Sequence, residues 1–406
     1  MIRLLLLAVF GVSCAEVVAA QTESSTDSLT AERVVALARA RAPQVRVAES
    51  HVLEARGRLA GARALGQQNP TIEGVASTED RFERRTQWEL NLPIGVGLAW
   101  TGRSGVARAE LQREQQLVAD ARRGAVGAAL AAYYRVLHAA RRVELAKERR
   151  SVVAELHRTA IERHRAGDVA RLEVLVTETE GIRAESDLLV EVLGLARARI
   201  ALAGTLGLAS GERLAIAGDL ADRLLLTQAL AIPGPAQRAD VLAADRELGA
   251  ARAARSLART ELLPGIAFRL NYGHEAGDPL VQPGLAVTVP LFQHGQESRQ
   301  LARAREVRAL AELERARNNA TAEVEGLEKV YEAAASAAEQ LDNRALPQVE
   351  ESENMVRESY RAGKIDLTAL LVVRRDLLDT RREHLDRLLD AALAGIDLAV
   401  ARGRFQ

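Results

Sequence analysis

From about Ser104 to Ala166 an apolar residue returns every seventh position, and no proline interrupts the run: Leu111, Val118, Ala125, Ala132, Ala139, Ala146, Val153 and Ala160. A heptad seam kept over so many turns predicts one supercoiled helix, about 95 Å long at 1.5 Å rise per residue. The small residues in the seam predict close approach of its neighbours. Residues 71–98 follow another rule. Trp88, Leu90 and Leu92 alternate with Gln87, Glu89 and Asn91, between Asn69-Pro70 and the glycines 95, 97 and 102. Period two predicts strands with one apolar and one polar face. Upstream, Thr30 is the expected N-cap of a helix to about Leu65, with Ala48, Val52, Ala55, Leu59 and Ala62 on one stripe. Pro43 kinks it or marks a second start. Downstream, Gly167-Asp168 reverses the chain into a helix over about Arg171–Ala203, and 204–237 reads as an irregular connector.

The same programme then recurs. A helix is expected over about Arg238–Leu262 and an alternating segment over 265–291, with Ile266, Phe268, Leu270 and Tyr272 on one face. Leu285, Val287, Val289 and Leu291 form a second series. A long helix follows over about Gln296–Arg361, with Leu313, Ala320, Leu327, Ala334 and Leu341 spaced by seven, then a turn at Gly363-Lys364 and a helix over about Asp366–Val400. The offset is 196 residues. Ala55-Arg56 matches Ala251-Arg252, Arg165-Ala166-Gly167 matches Arg361-Ala362-Gly363, and Leu175, Leu189 and Leu202 match Leu371, Leu385 and Leu398. Two copies of helix, hairpin, long helix, turn, helix are a duplication and not two globular domains.

Composition agrees with long packed helices. Of 406 residues only 3% are aromatic and ten are proline. Fifty-five basic residues balance 55 acidic ones, which argues against a nucleic-acid partner. Met1-Ile2-Arg3 followed by the uncharged run Leu4–Val12 is too short to span a bilayer and fits a secretory signal. Two readings of it stand. Val18-Ala19-Ala20 places small residues for cleavage before Gln21. Gly11-Val12-Ser13-Cys14 resembles a lipobox with Cys14, the single cysteine, as lipid acceptor. Both export the chain. No later run of 18 apolar residues exists, so a transmembrane helix is excluded, whereas a transmembrane β-barrel is not.

Catalytic and metal motifs are missing. None of the seven histidines follows a Glu by three, and no HExxH, phosphate loop or nucleophile elbow occurs. His157 and His164 share a helical face as a weak pair; a solvated or interhelical role is the expected one. The chain is not expected to be an enzyme, and no cofactor or metal site is expected. Trp88 and Trp100 suit either an interfacial belt or ordinary packing. Gln87, Glu89, Asn91, Arg269 and Asn271 form the polar strand faces. Asp366 and Arg374 lie near the second turn, where a solvated or interhelical pair is the plainer reading.

Each copy carries two strands of about ten residues, enough to cross a bilayer core when tilted. Four strands cannot close a barrel, and open edges in lipid leave backbone groups unpaired. Three chains would supply twelve strands. At this point the sequence resembles the TolC-type outer-membrane efflux proteins over essentially its whole mature length. The likeness rests on Leu29-Thr30 with Ala42-Pro43, Asn69-Pro70, Leu92-Pro93-Ile94, the paired Arg-Ala-Gly turns, Arg238-Ala239-Asp240-Val241, Leu263-Pro264, Val289-Pro290-Leu291-Phe292 and Gly295-Gln296. The last group is most similar to the heavy-metal (cobalt-zinc-cadmium) branch.

The resemblance implies a mainly α fold with a small β part. A homotrimeric twelve-stranded outer-membrane β-barrel would continue as a periplasmic α-helical barrel in a Gram-negative bacterium. It implies a passive efflux conduit fed by a periplasmic adaptor and an inner-membrane pump of the resistance-nodulation-division type, with heavy-metal ions as leading cargo and small toxic compounds open. It also makes the turns periplasmic tips for adaptor docking and gating: Arg165, Ala166, Gly167, Val174 and Leu175 in one, Arg361, Ala362, Gly363, Leu370 and Leu371 in the other. The expected organisation is a signal peptide over 1–20, a flexible tail over 21–29, a first repeat over 30–203, an equatorial connector over 204–237 and a second repeat over 238–406. The competing class is an exported periplasmic coiled-coil structural or adaptor protein without a pore, which would lack the alternating segments.

Overall fold

A computed structural model describes residues 28–64, 69–79, 83–93, 98–208, 215–220, 235–260, 265–275, 278–289, 291–292, 294–362 and 364–405. The signal segment with Cys14, the glycines 95 and 97, and Gly363 lie outside the described residues.

Helix α1 (Ala31–Arg41) starts where Thr30 accepts a hydrogen bond from the Arg33 amide, as the N-cap reading expects. The chain restarts at Ala42 into α2 (Pro43–Ala62), with Pro43 in the first turn, where its missing N–H is harmless. Strands β1 (Thr71–Glu79) and β2 (Glu83–Pro93) follow. Helix α3 (Leu98–Ala166) runs for 69 residues, about 104 Å. It begins six residues before the expected start, because Gly102 belongs to the helix: its bare Cα lets the backbone of Leu257 approach. Helix α4 (Arg171–Leu206) returns from the first turn.

The second half holds α5 (Ala239–Thr260), strands β3 (Gly265–Glu275) and β4 (Asp278–Thr288), α6 (Gln296–Gln340), α7 (Leu346–Arg361) and α8 (Leu367–Ala401). The pattern predicted one helix over 296–361. Instead a π-helical segment, Leu341–Ala345, separates α6 from α7. Pro347 explains it: proline removes a donor and crowds the preceding turn, and a bulge absorbs both.

The heptad seam is the buried face of α3. Six of its eight positions, Val118, Ala125, Ala132, Ala146, Val153 and Ala160, are buried, and Leu111 and Ala139 are half-buried. Helix α2 lies along its first half, where Ala42 and Val45 pack on Ala125 and Arg122 pairs with Glu49 at 2.9 Å. Helix α4 lies along its second half, where Leu188 packs on Val143 and Ala146. Between them the largest core gathers Val34, Ala38, Leu130, Tyr133, Leu202, Leu206 and Ile396. The described part of the connector is tied into this core. Leu29 pairs with Ile216 as an isolated parallel bridge, and the Tyr133 hydroxyl donates to the Ala217 carbonyl at 2.7 Å.

All four strands form one antiparallel sheet in the order β1-β2-β3-β4. The two hairpins, far apart in sequence, meet at β2 and β3, with Trp88 opposite Tyr272 and Leu92 opposite Phe268. The register sorts the faces. Ile72, Trp88, Leu90, Leu92, Ile266, Phe268, Leu270, Val281, Leu285 and Val287 share one; Glu73, Gln87, Glu89, Asn91, Arg269, Asn271 and Gln282 share the other. Val75 and Leu280 are the large apolar exceptions on the polar face. Among the described residues β1 and β4 each pair on one side only, so the sheet is open at both edges.

Candidate functional site

The two helical turns are built alike. At the first, Gly167 takes a left-handed conformation with φ of 83°, and the Asp168 amide donates to the Arg163 carbonyl at 2.9 Å. At the second, the Lys364 amide donates to the Ser359 carbonyl, also at 2.9 Å. Both donor and acceptor are displaced by 196 residues, the offset of the sequence repeat. This six-residue bond closes the C-terminus of a helix and satisfies its orphan carbonyls. His164 adds a hydrogen bond from its ring to the Val169 carbonyl at 2.9 Å.

Equivalent positions at the two turns have different surroundings. Arg165, Ala166 and Ala362 are exposed, and Leu175 is 47% exposed. Val174 is half-buried, and Arg361 ends α7. Leu370, the counterpart of Val174, is buried against Leu156, with Leu371, Val152, Val356 and Tyr360 around it. Leu370 therefore packs one tip on the other helix pair and presents nothing outward. The two tips also touch directly. The Arg163 guanidinium donates to the Tyr360 hydroxyl at 3.1 Å and lies 5.5 Å from that ring's centroid. Sequence reasoning missed this pair, because 163 and 360 do not stand at the repeat offset and neither type is distinctive alone.

Asp366 caps α8 by accepting from the Ala369 amide at 2.9 Å. Arg374 pairs with Glu353 of α7 at 3.5 Å, the interhelical pair of the plainer reading. Burial pushes the Arg374 guanidinium below its usual range; Glu353 opposes that and Arg357 adds to it. His157 does not join His164; its ring meets the Thr177 hydroxyl at 3.0 Å. Among the described residues no three His, Cys, Asp or Glu side chains converge on a point that would hold a metal.

Above the tips, α3, α4 and α8 enclose a hollow of about 640 Å³. Val152, Val153, Leu156, Leu371 and Val372 give it an apolar floor, and arginines 142, 149, 183, 374, 375 and 382 stand around it. Acids hold these arginines in place. Arg142 binds Glu191 at 2.7 Å and Asp386 at 3.1 Å, and Arg149 binds Asp187.

About midway between the tips and the sheet, two further networks join the halves. Arg238 donates to Asp240 at 3.0 and 2.8 Å, to Glu323 at 2.6 Å and to the Ala401 carbonyl at 3.3 Å. Arg123 donates to the Val400 carbonyl at 2.9 Å, so two cations cap the C-terminus of α8. Burial alone would raise the Asp240 carboxyl, but bonds and charge from Arg238, with Arg123 behind, hold it below its usual range. Nearer the sheet, Glu247 takes Arg113 at 2.6 Å and Arg305 at 3.0 Å, and Arg305 also reaches Glu110 at 3.3 Å. Here too burial is outweighed, and the Glu247 carboxyl is held low.

On the sheet, the polar face is hollow. A cavity of about 320 Å³ is lined by Glu73, Gln87, Glu89, Asn271 and Gln282 among others. Arg269 lies 3.6 Å from Glu89 on the same face. The apolar face is open: Ile72 is 70% exposed and Leu285 72%. Trp88 lies on that face over Gly74, whereas Trp100 is an anchor, donating its indole N–H to the Arg63 carbonyl at the end of α2 at 3.1 Å. Among the described residues no helix is long and apolar enough to cross a membrane.

These features have known counterparts. Residues 235–404 match the family model described as outer membrane efflux protein. The chain is 23% identical over 360 residues to the cobalt-zinc-cadmium resistance protein CzcC of Cupriavidus metallidurans, covering 88% of this chain and 86% of that one. Its fold is similar to that of CusC, described for its transmembrane channel formation, with a TM-score of 0.78, 19% identity and coverage of 93% and 92%. It is similar to the outer membrane channel MtrE of Neisseria gonorrhoeae in its open state, with a TM-score of 0.75, 17% identity and coverage of 92% and 88%. It is also similar to the outer membrane protein VceC of Vibrio cholerae, with a TM-score of 0.73, 18% identity and coverage of 92% and 96%. CusC and MtrE are the two described as channels. The second half thus matches the outer membrane efflux protein model, and nearly the whole length shares the fold of these structures.

Proposed function

We propose that the chain is the outer-membrane channel of a tripartite efflux system, acting as a homotrimer. The open sheet carries this reading. Its apolar face is bare, its polar face is hollow, and its two edge strands lack a second partner among the described residues. Three copies joined edge to edge make twelve strands around a water-filled axis, with the apolar face toward outer-membrane lipid. Such a sheet also disfavours a poreless coiled-coil protein. The organisation then reads as an exported chain whose signal peptide covers 1–20, with repeats over 30–203 and 238–406 joined by an equatorial connector.

The helices reach into the periplasm, and the two turns are the tips that meet an adaptor. The exposed residues Arg165, Ala166, Leu175 and Ala362 are its contacts, Gly167 holds the first turn, and Leu370 and Leu371 brace one tip against the other. The arginine-rimmed hollow above them suits an acidic, amphipathic helical hairpin. An inner-membrane pump of the resistance-nodulation-division type supplies the energy, so the chain itself conducts passively. Likeness to a cobalt-zinc-cadmium resistance protein favours divalent metal ions as cargo. Tight ligation along the path would slow passage, so a conduit works without a metal site.

Two measurements test this. Purified protein in a planar lipid bilayer is expected to give stepwise conductance; a protein that inserts without conducting overturns the channel reading. Deletion of the gene is expected to lower tolerance to zinc, cobalt or cadmium more than to organic drugs, and the reverse order would reassign the cargo. Mass spectrometry of the mature N-terminus separates cleavage after Ala20 from a lipidated Cys14.

A further inference from the structure

The apolar face of the sheet is too short for the layer it is meant to cross. Between the pairs Tyr272–Val281 and Ile266–Val287 lie six residue steps, about 20 Å along the strand and about 15 Å when tilted as barrel strands are. Outer-membrane barrels carry an apolar band about 25 Å tall. Above Tyr272 the next pair, His274–Pro279, is mixed. The missing length must lie on the helical side.

On that side the chain leaves β4 through three exposed apolar residues. Val289 is 58% exposed, Leu291 75% and Phe292 89%, the last being the most exposed large apolar side chain among the described residues. The segment is held as a built turn. The Leu291 amide donates to the Val289 carbonyl at 3.0 Å. The Gln296 side chain ties down the end nearer α6, donating to the Phe292 carbonyl at 3.2 Å and accepting from the His294 amide at 3.0 Å. Gly295 then enters α6. Within the first two turns of α6 come Arg299 and Arg303, with Glu297 the one acid, at the height where headgroup phosphates would lie. The order along the axis is apolar strand face, exposed Val-Leu-Phe turn, then basic residues.

We propose that Val289, Leu291 and Phe292 form a lipid anchor. They insert into the acyl–headgroup boundary of the leaflet on the helical side and fix the depth of the sheet. The occupant is phospholipid, argued from continuity with the sheet's apolar face and from the arginines that follow. This inference rests on the reading that the sheet lies in a bilayer.

The test places one tryptophan at a time in the full-length protein, reconstituted in phosphatidylcholine vesicles brominated either near the carbonyl end or near the methyl end of the acyl chains. With Trp100→Phe alone, Trp88 reports on the sheet. With Trp88→Phe, Trp100→Phe and Phe292→Trp, the new indole reports on the anchor. Trp88 is expected to lose emission in brominated vesicles. The indole at 292 is expected to be quenched more by shallow than by deep bromine. Quenching of Trp88 without quenching at 292 overturns the anchor alone and means that a neighbouring copy covers Phe292. Deeper quenching at 292 than at Trp88 also overturns it. Absence of quenching at both sites overturns the membrane reading itself.

Discussion

Replacing Arg238 with methionine keeps most of the side-chain volume and removes the charge. Four hydrogen bonds vanish: two to Asp240, one to Glu323 and one to the Ala401 carbonyl. Breaking a buried ion pair from one side costs about 3–5 kcal/mol, because the partner's charge stays behind. Arg238 itself is 6% exposed at its side chain, but Asp240 and Glu323 are 31% and 46% exposed, so water screens much of what is left. Arg123 stays within 4.0 Å of Asp240 and still caps Val400. About 2 kcal/mol is the reasonable remainder. The loss is local, at the end of α8. Amide exchange read by mass spectrometry over the last turns of that helix should therefore speed up about thirtyfold, while the middle of α3 is unchanged. Unaltered exchange there would show that Arg123 alone secures the helix end and that the Arg238 network contributes little.

Three further outcomes are expected. Gly167 has a positive φ and open space around its missing Cβ, so Gly167→Val strains only the backbone, by about 1–2 kcal/mol, with Gly167→Asn milder. Metal or drug tolerance should fall with outer-membrane levels intact, and unchanged tolerance in both Gly167→Val and Gly363→Val removes the tips from docking. Gly218→Ala places a methyl against the Tyr133 hydroxyl at a φ of 153°, so it should lower the thermal midpoint, and Tyr133→Phe should relieve only part of that. Asp240 and Glu247 are held below their ordinary values, so the stability they contribute is complete above about pH 4, the unfolded range, and is lost as pH falls through the lower folded values. The thermal midpoint should be flat near neutrality and fall below about pH 4, and Glu247→Gln should shrink that fall; an equal fall in the variant removes Glu247 from the acid limb.

The parts of the structure legible in the sequence are those written in a period. The seam at Val118, Ala125, Ala132, Ala146, Val153 and Ala160 is buried as its spacing says, and the alternation at 87–92 sorts two sheet faces. Thr30 and Asp366 cap the helices that follow them, because capping needs only three residues of local chain. Non-local outcomes were not legible. The sheet could have been two separate hairpins; the pairing of Trp88 with Tyr272 joins positions 184 apart. Arg163 meets Tyr360 only because α3 and α7 end at the same height. Trp100 and Trp88 look alike in sequence, but one is tied to the Arg63 carbonyl and the other lies on an open apolar face. The π segment was signalled by Pro347, and the heptad count carried the helix through it.

The step from one chain to a pore is a question of magnitude. An edge strand of nine residues without proline, such as β1, leaves about four N–H and four C=O groups pointing away from its only neighbour. In water those groups are solvated and the cost is small. In hydrocarbon each costs several kcal/mol, so one bare edge costs tens of kcal/mol, more than the whole stability of most domains. No rearrangement of side chains recovers that. Folding β1 onto β4 within one chain would require a four-stranded closed barrel, whose interior has no room for Glu73, Gln87, Glu89, Arg269 and Asn271 together. The polar face thus sets a minimum circumference, and the bare edges demand closure. Copies of the same chain meet both demands at once, since β1 of one copy and β4 of the next differ in length by only two residues. A water-filled passage is then the consequence of burying an apolar face in lipid while keeping a charged face wet.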